Sequence, residues 1–375
     1  GIAFLVILFI PIMTVSGAYT VNSSEMVGGL GIQSEHIAFI SFVTSIGMAA
    51  FSPFFYSLVS VRRQKLMSLV GFSLLAVQSY ICANTDSLFI LALNSLIMGF
   101  VRQTLLMCTL FTLIKYGFGI EATRNVSPGN EPTDEAGWDA LDTEKKASQP
   151  IIYFFFMLLG QIGTWITAWF AYNYQWQMVY YAMLGAILVA LLITLLCMPY
   201  NPYPTKRSPL SFSKFGNVVV FCLMCCSFVY VTVYGKVYDW YDSPRIRWAT
   251  VICVLSSLLF FYLEKTRRSP YFMLKAFKSR SIQGGILLFI GLMICNSSSM
   301  LVNIFVGVGM KADQIQIAAL GNWVLLGYFI GMVIILILNN KGVHFKWFFA
   351  MGFMLIAAAS LFMYFEVQTA GMLER

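Results

Sequence analysis

The chain has 375 residues, of which 59% are hydrophobic and only 11% charged, with a mean hydropathy of +0.77. A soluble domain carries roughly 25% charged residues, so soluble fold classes drop out and a polytopic membrane protein remains. The formal net charge of +8 does not point to nucleic acid, because the basic residues sit in short clusters between apolar runs, the pattern that membrane topology produces.

A spanning helix needs about 20 predominantly apolar residues. By that rule about eleven spans are expected, at 1–19, 36–58, 66–83, 88–114, 151–171, 177–198, 216–233, 248–263, 283–306, 317–339 and 346–366. The run at 248–263 is short for a span. The fold class expected is all-α, since backbone in lipid must satisfy its own hydrogen bonds. The first run has no basic n-region and no small-residue cleavage site, so it reads as a span entered part-way rather than a signal peptide. The chain stops at Arg375 just after a span, so a fragment at both ends is expected. Asn22-Ser23-Ser24 matches the glycosylation acceptor pattern, which is common by chance.

The fourth run, Leu88 to Ile114, contains Arg102, the only charge well inside any span. A charged side chain at mid-bilayer costs about 2.5–3.5 kcal/mol on insertion scales, so it faces a bundle interior or a water-filled cavity and needs a partner. The polar residues Asn94, Gln103, Gln161, Asn296, Asn303 and Asn322 also fall within spans. They are candidates to line a cavity, with interhelical hydrogen bonding as the alternative. No Asp or Glu lies deep in a span; Glu264 and Glu366 lie at span ends. His36, near an outer mouth, is expected to be a solvated helix-start histidine.

Residues 116–149 carry Pro128, Pro132 and a run of acids including Glu131, Asp134, Glu135, Asp139, Asp142 and Glu144, which predicts a solvated loop. Residues 199–216, with Pro199, Pro202, Pro204 and Pro209 among Lys and Arg, predict a linker. Basic clusters alternate along the chain: Arg62, Arg63 and Lys65; Lys115, Arg124, Lys145 and Lys146; Lys206, Arg207 and Lys214; then Lys265 to Arg280; then Lys341 and Lys346. The intervening connections hold few bases, so the clustered side is expected to face the cytoplasm. Among the eight cysteines, Cys222 and Cys225 form a C-x-x-C on an apolar helix with no second pair or histidine nearby. Small buried apolar residues are the expected reading, with neither a disulfide framework nor a zinc site.

The connection Gly235-Lys236-Val237-Tyr238-Asp239-Trp240-Tyr241-Asp242-Ser243-Pro244 is distinctive. Arg268-Ser269-Pro270 and then Leu274-Lys275-Ala276-Phe277-Lys278-Ser279-Arg280 follow it. This pairing resembles the fourteen-span drug:proton antiporter family of the major facilitator superfamily. There two extra spans, joined by a loop like G-x-x-x-D-W-(F/Y)-x-S, sit between the six-helix halves. Tyr174-Gln175-Trp176 resembles an aromatic signature of the same family. The resemblance implies a six-helix bundle over 1–198, a linker and two inserted helices over 199–281, and the first three helices of a second bundle over 282–375.

Other family motifs are altered. The cytoplasmic signature G-x-x-x-D-R-x-G-R-(R/K) is reduced to Ser57-Leu58-Val59-Ser60-Val61-Arg62-Arg63-Gln64-Lys65. Arg62, Arg63 and Lys65 remain candidates to meet helix C-termini or lipid phosphates at a cytoplasmic gate; topology alone also explains them. The fifth-span signature G-x-x-x-G-P-x-x-G-G becomes Gly160-Gln161-Ile162-Gly163-Thr164-Trp165-Ile166-Thr167-Ala168. With the fourth-span Gly99, its small residues Gly160, Gly163 and Thr167 are expected to allow close helix packing. The family's R-x-x-Q-G aligns on Gly99, which places Ser95 at the arginine position and Met98 at the glutamine. Arg102 follows Ser95 by seven residues, about 700° of helix, so both lie on nearly the same face about 10 Å apart.

The resemblance implies a secondary transporter in a bacterial cytoplasmic membrane, exporting amphipathic or drug-like compounds coupled to protons. Its partners would be a small-molecule substrate, a proton or other coupling ion and the lipid bilayer, with the protein a monomer. Uptake, or transport of a lipid-linked substrate, is the alternative within that class. A non-transporting membrane protein would be expected to cluster His or acids at one face, whereas His36 and His344 fall on opposite sides in the topology above. No Walker loop, paired carboxylates, H-E-x-x-H or G-x-S-x-G is present, so neither enzyme chemistry, a cofactor nor a metal is expected.

Overall fold

In this computed structural model residues 7–14, 31–51, 54, 64–117, 135–198, 212–266, 277–304, 314–340 and 345–373 are described. Residues 7–14 are helical (α1). The longer helices are α2 (Ser34–Ala50), α3 (Gln64–Asn84), α4 (Leu88–Gly117), α5 (Glu135–Asn173), α6 (Trp176–Cys197), α7 (Phe212–Tyr234), α8 (Pro244–Thr266), α9 (Arg280–Ile304), α10 (Gln314–Asn340) and α11 (Phe345–Leu373). Among the described residues there is no strand. Among the described residues seven helices are long and apolar enough to cross a membrane, and stretches of α2, α9 and α11 are shorter apolar helices. Their outer faces carry side chains such as Leu287, 72% exposed, and Leu258, 63% exposed. Apolar surface on this scale is solvated by lipid, so the chain is a multi-pass integral membrane protein.

Several threonine hydroxyls inside the spans are satisfied locally. Thr44, Thr104, Thr109, Thr112 and Thr194 each donate to the carbonyl four residues earlier at 2.7–3.0 Å. This leaves few polar atoms facing lipid.

α2 ends at Ala50, and residues 55–58 of the expected second span lie outside the described residues. Two boundaries differ from the sequence expectation. Residues 135–149, expected to lie in a solvated loop, are helical and continuous with the fifth span. Ala136, Ala140, Leu141, Glu144, Lys145, Lys146 and Ala147 are strong helix formers, and they outweigh Pro150, which sits inside α5 and removes one backbone donor. The short eighth run proves to be a full 23-residue helix.

The packing divides the chain into two units: Gly1–Asn125 with Leu159–Gln283 and Gln314–Ala318, and Val126–Leu158 with Gly284–Asp313 and Ala319–Arg375. In the first, Leu8 and Ile12 of α1, Ile40 of α2, Phe72 and Leu75 of α3, Met98 and Leu105 of α4, and Tyr180 and Ile187 of α6 form one buried cluster. Lipid tails are as apolar as these residues, so dispersion between well-fitted surfaces holds them together. α2 and α4 cross backbone to backbone: a Cβ on Gly47 would strike the Leu96 carbonyl, and one on Gly99 the Thr44 carbonyl. In the second unit, Tyr153 and Phe154 of α5 pack edgewise or tilted on Tyr328 and Phe329 of α10, with centroids 6.0 and 5.5 Å apart.

The distinctive connection between α7 and α8 is a tight reversal. Asp239 and Trp240 take φ of 51° and 53°, and the Trp240 amide donates to the Gly235 carbonyl at 2.7 Å. The Trp240 ring then folds over Gly235, where a Cβ would lie 2.7 Å from the ring. Ser243 accepts the Arg245 amide at 3.3 Å and Pro244 opens α8, a pre-organised helix start. The motif's glycine, Asp-Trp pair and Ser-Pro therefore each have a local reason.

Candidate functional site around Arg102

Arg102 lies on the inward face of α4 with Ser95 and Met98, which are fully buried, and is itself 8% exposed. Its Nε donates to the Ile12 carbonyl of α1 at 2.9 Å. Nη1 meets the Met48 sulfur of α2 at 3.2 Å, and Nη2 the Met13 sulfur of α1 at 4.0 Å. Among the described residues no carboxylate is a partner of Arg102. The guanidinium is therefore held at the α1–α2–α4 junction by one carbonyl and two thioethers, all neutral. A buried charge left in that state retains most of its demand for an anion.

A cavity of about 300 Å³ lies beside this junction, lined by Ile10, Pro11 and Thr14 of α1, Ile166 and Phe170 of α5, and residues of α6 including Met183. Arg102 does not line it. Ile12 and Met13, which meet the guanidinium, do not line it either.

The other candidates are dispersed. Asn94 donates to the Gln78 carbonyl at 3.0 Å and the Cys82 sulfur at 3.1 Å, joining α4 to α3. Gln161 donates to the Ala318 carbonyl of α10 at 2.8 Å. Both amides bridge helices. Gln103 is half-buried and Asn322 exposed, while the side chains of Asn296 and Asn303 lie outside the described residues. Arg62 and Arg63 also lie outside them. Lys65 donates to the Leu195 carbonyl at 2.7 Å, in the last turn of α6, where a cation also meets the negative end of the helix dipole. Gly99 sits at the α2–α4 crossing, and Gly163 packs on Thr14 with its Cβ position 3.2 Å from the Thr14 Cα. Thr167 bonds back to its own helix at Gly163 and Thr164. Among the described residues nothing lies within 4 Å of the Gly160 Cβ position.

His36, expected to be solvated, is instead half-buried. Its Nδ1 lies 2.5 Å from the Tyr234 hydroxyl. Phe39, Tyr230 and Tyr238 complete an aromatic group that ties α2 to α7, with Arg245 stacked 5.4 Å over Tyr238. At the other end of the α7–α8 pair, Glu264 is 4% exposed and accepts from Asn217 Nδ2 at 3.1 Å. Sequence reasoning placed Glu264 at a span end but did not see it buried. It also missed Gly47, Met13 and Met48. Gly47 had a readable signal, a glycine inside an apolar helix; the methionines had none. Among the described residues, no group of three or more His, Cys, Asp or Glu is placed to hold a metal ion, and seven cysteines are free thiols.

No protein-family model matches the chain. No curated protein matches it either. Among solved structures, a mutant of the peptide transporter POT in complex with sulfate is similar at 12% identity and a TM-score of 0.42, covering 81% of this chain. This chain spans 58% of that transporter's length. A mutant of the nucleoside transporter NupG is similar at 14% identity and a TM-score of 0.41, over 94% of this chain and 98% of the other.

Proposed function

We propose that the chain belongs to a secondary transporter of the major facilitator type, which moves a small molecule across the cytoplasmic membrane by rocking helical bundles about a midplane site. The observation that carries this reading is Arg102, a buried guanidinium whose partners among the described residues are all neutral acceptors, at a junction of three helices. Intramembrane ionisable groups are costly and mark substrate and ion pathways. The α7–α8 hairpin and its Gly235–Pro244 connection support the drug:proton antiporter resemblance, and with it proton-coupled export of amphipathic compounds.

The test is flux of a fluorescent amphipathic panel in everted membrane vesicles. Arg102→Ala is expected to abolish flux while membrane expression is retained, and normal flux in that variant removes Arg102 from the mechanism. Collapsing the proton gradient is expected to stop flux; continued movement rejects proton coupling. Movement in the opposite sense identifies an uptake protein.

A further inference from the structure

We propose that Arg102 is an oxyanion-binding site that takes a carboxylate, phosphate or sulfonate group of the transported molecule in a two-bond fork. This deepens the transport reading above and rests on it. A guanidinium presents five N–H donors in one plane. Here Nε is committed to the Ile12 carbonyl, while among the described residues the Nη1 and Nη2 groups meet the sulfurs of Met48 and Met13. Thioether sulfur is a weak acceptor on an unbranched side chain with three rotatable bonds, so an oxygen anion displaces both sulfurs readily. With Nε committed, the Nη1–Nη2 pair remains as an edge that can bind carboxylate or phosphate bidentately.

The surroundings favour the same ligand class. The side chain is 8% exposed, so its attraction for an anion is little screened. The Nε bond to α1 fixes the plane of the fork before a ligand arrives, which is the pre-organisation a binding site needs. The buried carboxylate of Glu264 belongs to the α7–α8 pair with Asn217 and is not among the partners of Arg102. A lipophilic cation at this position would be repelled at short range in a medium of low dielectric. The chemistry of the junction therefore selects amphipathic anions over amphipathic cations.

The experiment uses the purified full chain in lipid nanodiscs, titrated calorimetrically with octanoate, octyl phosphate and octyltrimethylammonium. The two anions are expected to bind and the ammonium not to. Arg102→Lys keeps the charge but loses the fork and is expected to weaken anion binding by about tenfold or more, as a charge-assisted bond is worth a factor of about 10–100. Arg102→Gln is expected to abolish it. Met48→Leu removes a weak competing acceptor and is expected to leave anion binding unchanged or tighter. Undiminished anion binding in Arg102→Lys, equal binding of the ammonium, or loss of binding in Met48→Leu overturns the proposal. Should the arginine variants fail to fold, nitrogen-15 resonances of the wild-type guanidinium groups decide it: a set that octyl phosphate leaves unmoved overturns the proposal. Anion binding without flux keeps this inference and removes the transport reading; flux without anion preference does the reverse.

Discussion

Substituting Gly99 by alanine adds one methyl group at the point where α2 and α4 touch backbone to backbone. The new Cβ would strike the Thr44 carbonyl and stand 3.0 Å from the Met48 amide nitrogen, whereas ordinary contact begins at 3.4 Å. Neither neighbour is a flexible side chain, so relief requires the helices to part by roughly 1 Å, which forfeits a quarter to a half of the dispersion well along the crossing. Overpacking of this kind costs about 1–3 kcal/mol. The same shift draws Met48, and with it α2, away from Arg102. Gly160→Ala is the matched control: among the described residues its Cβ position meets nothing within 4 Å, so helix propensity dominates, and alanine is favoured by about 0.8–1.0 kcal/mol. Thermal unfolding in detergent, followed by fluorescence-detected size exclusion, should show Gly99→Ala clearly destabilised and Gly160→Ala unchanged or more stable. Equal behaviour of the two variants would refute the backbone crossing.

Three further outcomes are expected. Asn94→Leu, which removes the bonds to Gln78 and Cys82, should reduce unfolding stability by about 0.6–2 kcal/mol with flux retained; lost flux at full stability would place Asn94 in the transport path instead. Gly235→Ala should destabilise the α7–α8 hairpin by about 1–3 kcal/mol, because its Cβ would meet both the Trp240 ring and the Val231 carbonyl at 2.7 Å; a neutral result in the unfolding assay would refute that packing. A reporter fused after Lys145 should read as cytoplasmic and one after Asp242 as external, and reversed signals would overturn the orientation.

Much of the helical layout was legible because hydropathy measures the same transfer free energy that lipid imposes. Arg102 stood out for that reason, as a charge inside an apolar run, and its face followed from helical periodicity through Ser95 and Met98. Its partners were not legible. The Ile12 carbonyl is 90 positions away in sequence, and a backbone acceptor has no signature in the residue type. The roles of Asn94 and Gln161 also depended on distant backbone carbonyls, so composition could not separate a cavity residue from a bridge between helices. The acidic stretch after Glu135 read as a loop because hydropathy registers solvation rather than helix propensity, and its alanine, leucine, glutamate and lysine content was the overlooked signal. Gly235 and Trp240 were legible as a motif, but only the left-handed φ at Asp239 and Trp240 explains the spacing between them.

The decisive measurement is flux of radiolabelled octyl phosphate into proteoliposomes, with wild-type chain and Arg102→Lys reconstituted side by side at equal density. Wild-type flux, falling to about a tenth or less in the lysine variant through loss of one charge-assisted bond, is the expected result. Equal flux through the two proteins would contradict a transport site built on the Arg102 guanidinium.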